Sequence, residues 1–139
     1  MTEEWNFTDK IEEMTPEQLK ARIEKAWNHS MPKIVPVPYV GKIPHEVTYY
    51  YEELTARCPM TGIQDLYKVT IEFVPDKLIP ELKSLKYYYM AYRDLPISHE
   101  HLHAKIFKDF KEAIKPTRVR VNLDVAIRGG IKTDISYVE

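Results

Sequence analysis

Cys58 is the only cysteine in the chain, and it stands in the stretch TARCPMTGIQD, residues 55 to 65. A thiolate is a strong side-chain nucleophile, and the carboxyl group of Asp65, closing the same stretch, is a candidate acid or base for whatever that nucleophile attacks. Pro59 and the Thr61-Gly62 pair mark a turn, which sets thiol and carboxyl at the two ends of one short loop. Arg57 adjoins the cysteine, and a neighbouring cation favours the thiolate. The ordinary fate of a lone cysteine is burial as a small apolar residue. A place at a strand end favours a cleft over the core. Residue types alone leave both readings open.

A metal centre is the weaker alternative. Thiolate zinc sites need several Cys or His ligands at short spacing. His99, His101 and His103 alternate, but on a helix residues two apart point in different directions. They are read as helix-start and surface residues, with no metal site.

These groups need elements to hold them. Thr15-Pro16-Glu17-Gln18 has the form of a capping box with proline in the first turn. Leu19, Ile23 and Trp27 (or Ala26) follow at helical spacing. Residues 31–46 contain four prolines, so an extended arm on the surface is expected there, neither helix nor central strand. The domain proper is expected over 47–139, with 1–46 as an N-terminal helical extension and proline-rich arm.

VTYYYEELTAR reads as a strand. In LYKVTIEFVP, Val69, Ile71 and Phe73 alternate with Lys68, Thr70 and Glu72, the pattern of a half-buried strand. The period then changes. Pro80 suits a first helical turn, and Leu82, Leu85, Tyr89 and Tyr92 share one face. Ser98 can cap a second helix whose stripe is Leu102, Ile106, Phe110 and Ala113 or Ile114, with Pro116 just past its end. Two further alternating runs flank Arg128-Gly129-Gly130, a hairpin signal. The order strand-strand-helix-helix-strand-strand implies an α+β fold: an antiparallel four-stranded sheet with both helices on one face. Its two unpaired edges point to association with other copies.

Composition narrows the setting. The chain has 139 residues, 44% hydrophobic and 29% charged, with net charge −1, which is ordinary for one globular domain. The near-neutral balance argues against direct nucleic-acid binding. No apolar run reaches the length of a membrane span, and the acidic start lacks a signal peptide's apolar core. With a lone cysteine, a cytoplasmic location is expected.

CPMTGIQD, ELKSLKYYY and SHEH occur in this order, and together they resemble the nitrile reductase (QueF) family of queuosine biosynthesis. The cysteine followed by Pro-x-Thr-Gly-x-x-Asp matches Cys58 to Asp65. A second motif matches Glu81 through Tyr88, a His-Glu pair matches His99-Glu100, and an Arg-Gly-Gly matches Arg128 to Gly130. The resemblance covers about residues 47 to 137.

It implies a tunnelling fold whose subunits close into oligomeric barrels with active sites between them. It implies NADPH-dependent reduction of 7-cyano-7-deazaguanine to 7-aminomethyl-7-deazaguanine. Cys58 is then the nucleophile that forms a thioimide, Asp65 the general acid, and Glu100 the acceptor for the base's N1-H and 2-amino group. His99 is a second active-site residue beside them. Glu81, Lys83, Ser84 and Lys86 form the NADPH-binding element, with Arg128 and Gly129 as further cofactor contacts. On residue type alone, Glu100 reads as an acid placed at a helix start, and Lys83 and Lys86 as a solvated face. No Gly-x-Gly-x-x-Gly follows a strand, so a nicotinamide cofactor has no Rossmann site here.

The chain departs from the family's pattern at Ile63-Gln64, where Gln-Pro is common, and at Ile127, where proline is common. Two rivals share the fold: an archaeosine-forming amidinotransferase, which lacks the Glu-x-Lys-x-x-Lys element, and a non-catalytic purine-binding protein.

Overall fold

The computed structural model describes Trp5, Phe7 and residues 10–139. After a 3-10 turn at Ile11–Glu13 come α1 (Pro16–Trp27), β1 (Pro36–Pro38), β2 (Val47–Arg57), β3 (Gln64–Val74), β4 (Leu78–Pro80), α2 (Leu82–Met90), α3 (His99–Ile114), β5 (Arg118–Arg128) and β6 (Ile131–Val138). The main sheet is antiparallel in the order β2-β3-β5-β6. The α+β expectation holds, with two helices packed on one face of four strands.

Alternation builds the core. On β3, Tyr67, Val69, Ile71 and Phe73 turn inward, and β5 answers with Val119, Val121, Leu123 and Val125. The expected α3 stripe of Leu102, Ile106, Phe110 and Ile114 covers them, with Phe73 and Phe110 meeting edge to face at 5.1 Å between centroids. Ser98 caps α3 by accepting from the His101 backbone N–H, and Lys115 ends it in the left-handed conformation just before Pro116. The opposite sheet face is polar, with cross-strand ion pairs Lys68–Glu52 and Arg120–Glu72, each at 3.4 Å. Gly129 and Gly130 both have positive φ, as a two-residue hairpin of type I′ requires.

Four expectations need correction. Pro80 does not open α2. It ends β4, which pairs with β1 through Pro36↔Pro80 and Pro38↔Leu78, and Glu81 is the cap of α2. The arm is therefore extended, as its prolines require, but a short stretch of it is an edge strand, and Ile34 is buried in the core.

Leu82 is exposed, because its position in the first turn of α2 faces away from the core; Leu85, Tyr88, Tyr89 and Tyr92 are buried instead. Tyr88 is tolerated inside because its hydroxyl donates to Asp109 Oδ2 of α3 at 2.6 Å and shares a hydrogen bond with Tyr92.

On α1, Ile23 is exposed and Ala26 buried. The helix docks through Leu19, Arg22 and Ala26, with the capping box at Thr15 and Gln18 as expected. Lys105 of α3 donates to the Trp27 carbonyl at 2.8 Å, tying down the C-terminus of α1. The last correction is His103. It is buried rather than superficial, with Nε2 at 2.9 Å from the Val121 carbonyl.

Among the described residues no helix is long and apolar enough to cross a membrane.

Candidate active site

The site forms where β2 ends. Residues 58–63 join β2 to β3, closed by Cys58 N–H donating to the Ile63 carbonyl at 2.8 Å and Gly62 N–H to the Cys58 carbonyl at 2.9 Å. Gly62 has a φ of 76°, which favours glycine. A Cβ there would also stand 2.7 Å from the Phe7 ring. The N-terminal extension braces this loop a second time, through Arg22 Nη1 donating to the Pro59 carbonyl at 2.7 Å.

The segment before α3 is laid against the same strand end. Arg57 N–H donates to the Leu95 carbonyl at 3.0 Å, and Ile97 N–H donates to the Arg57 carbonyl at 3.1 Å. Two residues after Ile97 comes His99, so this pairing brings the start of α3 to the end of β2.

Asp65 does not lie in the turn, as its sequence position suggested, but inside β3, on the buried face. It is 4% exposed. Both its oxygens accept from Arg128 Nη1, at 2.7 and 2.6 Å. Arg128 reaches it from the far end of β5, where the β5–β6 register shifts between Val125 and Arg128; such an irregularity re-aims a side chain.

Cys58 is 6% exposed. Burial pushes its thiol up. The Thr61 hydroxyl, the backbone of Thr61 and Met60, and the charge of Arg128 together outweigh burial and hold the thiol below its ordinary value. The cation at the thiol is therefore Arg128 and not Arg57, whose guanidinium is occupied by Asp94 at 2.9 Å and by the Gly62 carbonyl.

Tyr67 completes the cluster. It is 2% exposed, and its hydroxyl lies 2.8 Å from His99 Nδ1. Burial first, then the charge of Asp65, push that hydroxyl well above its ordinary value. Sequence reasoning missed Tyr67 and Thr61. The available signal for Tyr67 was its register, since it shares the in-facing side of β3 with Asp65 and Val69. Thr61 was visible only as part of a turn.

The structure thus brings Cys58, Asp65, His99 and Arg128 into one cluster. Glu100 lies next to His99 and is exposed in the first turn of α3. The other histidines have separate partners, His101 with Ser98 Oγ at 2.6 Å and His103 with β5.

The remaining candidates form a second group at the start of α2. The Glu81 carboxylate accepts from the Lys83 and Ser84 backbone N–H groups at 2.6 and 3.0 Å. Ser84 Oγ donates to the Glu81 carbonyl at 2.7 Å and accepts from Val35 N–H at 2.9 Å, pinning the arm. Lys83 and Lys86 are exposed and flank the Tyr87 ring, at 5.9 and 5.3 Å from its centroid. Beside them is a groove of about 270 Å³ lined by Tyr49, Tyr51, Leu82, Lys86 and Tyr89, among others. Gly129 sits in the β5–β6 hairpin, next to Arg128.

An antiparallel sheet with two helices on one face defines a tunnelling-fold subunit, and Cys58 at one of its strand ends is the centre of the candidate site. The comparisons with known proteins carry this further. A family model described as "QueF-like protein" matches residues 65–139. The NADPH-dependent 7-cyano-7-deazaguanine reductase of Elusimicrobium minutum is 37% identical over 116 residues, covering 84% of this chain and 88% of that one. The enzyme of the same name from Thermotoga petrophila is 45% identical over 83 residues, 59% of this chain and 61% of its own. In fold, the crystal structure of the archaeosine synthase QueF-Like in the apo form superposes with a TM-score of 0.64 at 23% identity, over 70% of this chain and 95% of that one. The chain belongs to the QueF-like family.

Proposed function

We propose that the chain is an NADPH-dependent nitrile reductase that converts 7-cyano-7-deazaguanine to 7-aminomethyl-7-deazaguanine. The observation that carries this is the joining of a thiol held below its ordinary value to Asp65 and His99 at one strand end, in a chain 37% identical to a reductase over most of its length.

Cys58 sulfur adds to the nitrile carbon. One π pair moves to nitrogen, which takes the proton that leaves the Cys58 thiol, relayed through the Asp65 carboxyl group as acid, giving a covalent thioimide. Reduction of that carbon lets the C–S bond break, its electron pair returning to sulfur, and leaves an imine. A second reduction gives the amine. NADPH, when bound, supplies one hydride to each reduction. Both Asp65 oxygens face Arg128. Arg128, whose side chain is 45% exposed, swings outward as the base enters and frees the carboxylate to take up the thiol proton and pass it to nitrogen. Glu100 accepts from the pyrimidine edge of the base, two donors meeting two acceptors.

Lys83 and Lys86 fit the cofactor. They are exposed lysines around an aromatic ring, suited to phosphate oxygens. Glu81 and Ser84 shape that helix start rather than contribute charge to it, and Arg128 reaches the cofactor only after leaving Asp65. The subunit assembles with copies of itself along the free edges of β2 and β6, with sites at the interfaces. It works in the cytoplasm on a small-molecule base.

Intact-mass measurement with 7-cyano-7-deazaguanine and no NADPH should show one added base, absent in Cys58→Ala. NADPH absorbance should fall only when the base is present. An adduct without NADPH consumption would point to the amidinotransferase, and base binding with neither would point to a non-catalytic protein.

A further inference from the structure

Arg22 lies on α1, outside the residues that carry the family resemblance. It is partly buried, and its Nη1 donates to the Pro59 carbonyl at 2.7 Å. That carbonyl shares a planar, trans peptide unit with the Met60 N–H. In such a unit the C=O and the N–H point opposite ways. A carbonyl drawn outward to Arg22 therefore turns the Met60 N–H to the other side, where the Cys58 side chain stands.

The rest of the loop is held in the same sense. Arg57 Nη1 takes the Gly62 carbonyl at 2.9 Å. The Ile63 N–H donates to Thr61 Oγ1 at 3.3 Å, which leaves that hydroxyl's own proton for the sulfur. The backbone of Met60 and Thr61 and the Thr61 hydroxyl are the loop groups that favour the thiolate. The Pro59–Met60 peptide is the one most able to turn over. Proline at the second position of a turn is compatible with either orientation of the peptide after it, the difference between turn types I and II. Met60 keeps a negative φ, and the Arg22 bond supplies the partner for this orientation.

We propose that Arg22 is a positioning residue for Cys58: by holding the Pro59 carbonyl outward it keeps the Met60 N–H turned toward the Cys58 sulfur. The inference rests on the reductase reading, in which that sulfur is the nucleophile. Arg22 acts through the peptide, while Arg128 supplies the charge at the thiol. Helix α1 thereby takes part in the site without touching a ligand.

Iodoacetamide alkylation of the full chain, followed against pH, tests this. It needs neither base nor NADPH, so it is read apart from the reductase reading, whose own failure shows as no base-dependent NADPH loss. Arg22→Met keeps the stem and removes the donor, while buried Ala26 and the Lys105 bond still dock α1. Its pH midpoint should lie above that of the unsubstituted chain, and alkylation at neutral pH should be roughly three- to tenfold slower, the scale of one hydrogen bond. Lys105→Met is the control for docking. It removes the bond from α3 to the Trp27 carbonyl at the C-terminal end of α1, and should lower thermal stability with the midpoint unmoved. Arg128 and Tyr67, which interact with the thiol from the sheet, and Asp65 and His99, bonded to them, remain in both variants.

An unchanged midpoint in Arg22→Met overturns the proposal, and so does an equal rise in both variants, which would make α1 docking as a whole the cause. The rise in Arg22→Met should also persist in about 1 M salt, where charges are screened beyond about 3 Å. A rise that salt abolishes means that Arg22 acts by its charge through space, and overturns the proposal too.

Discussion

The two groups of candidate residues are built in opposite ways. Cys58, Asp65, Tyr67, His99 and Arg128 come from three strand ends and a helix start, and most of their polar atoms are spent on one another: Arg128 on Asp65, Tyr67 on His99. The α2 group spans six consecutive residues, and its lysines stand in solvent around Tyr87. Buried polar groups must be paired, so the first group is costly to alter. Exposed lysines keep their freedom, and they suit a ligand that must arrive and leave twice per turnover. Within α2 the contrast repeats in miniature, since Glu81 and Ser84 serve the helix cap and the arm while Lys83 and Lys86 remain outward.

Breaking the buried group should cost most. Asp65→Asn keeps the shape and accepts from Arg128 through one oxygen, but it cannot take up a proton and pass it to nitrogen. The rate of adduct formation by mass should fall by roughly 10²–10⁴. A near-unchanged rate would remove Asp65 from the chemistry and leave it as an anchor for Arg128.

The exposed group should respond in the cofactor alone. Lys83→Ala with Lys86→Ala should raise KM for NADPH by roughly 10- to 100-fold, the range for losing one or two charged contacts, while adduct formation without NADPH continues. Loss of the adduct with unchanged NADPH affinity would join the two groups into one site.

A smaller effect sharpens the electrostatics of the buried group. Arg128 lowers the Cys58 thiol, so Arg128→Gln should raise it, the more so because Asp65 is then left uncompensated. The thiolate is the reactive form. Iodoacetamide alkylation of the free protein should slow several-fold at neutral pH, and its pH midpoint should move upward. A midpoint that stays in place would mean that Thr61 and the loop backbone alone set the thiol.

The smallest expected effect separates cap from cofactor within α2. Ser84→Ala removes the hydroxyl that bridges Glu81 and Val35. Thermal unfolding should show a loss of about 1 kcal/mol, with KM for NADPH nearly unchanged. A large rise in KM without loss of stability would put Ser84 on the ligand.

The sequence by itself determined the four main strands and the helices of the domain and marked its candidate reactive groups. Alternation in β3 and β5, the Ser98 cap, the Leu102-to-Ile114 stripe and the Gly129-Gly130 turn are local physics, and each appears where the residues placed it. The signature stretches marked Cys58, Asp65, His99 and the α2 lysines because their spacing is contiguous. What the tertiary structure decided is which charge meets which group. Arg57 is next to Cys58 in sequence, yet a strand points successive side chains to opposite faces, and Arg57 is taken up by Asp94. Arg128, seventy residues away from the thiol, arrives through the sheet and a register shift. Pro80 reads as a helix start until the arm supplies β1 as its strand partner. Tyr67 reads as one more core aromatic until α3 brings His99 to its hydroxyl. Periodicity specifies the face on which a residue lies, whereas its partner across the fold depends on strand order and on how the helices are docked.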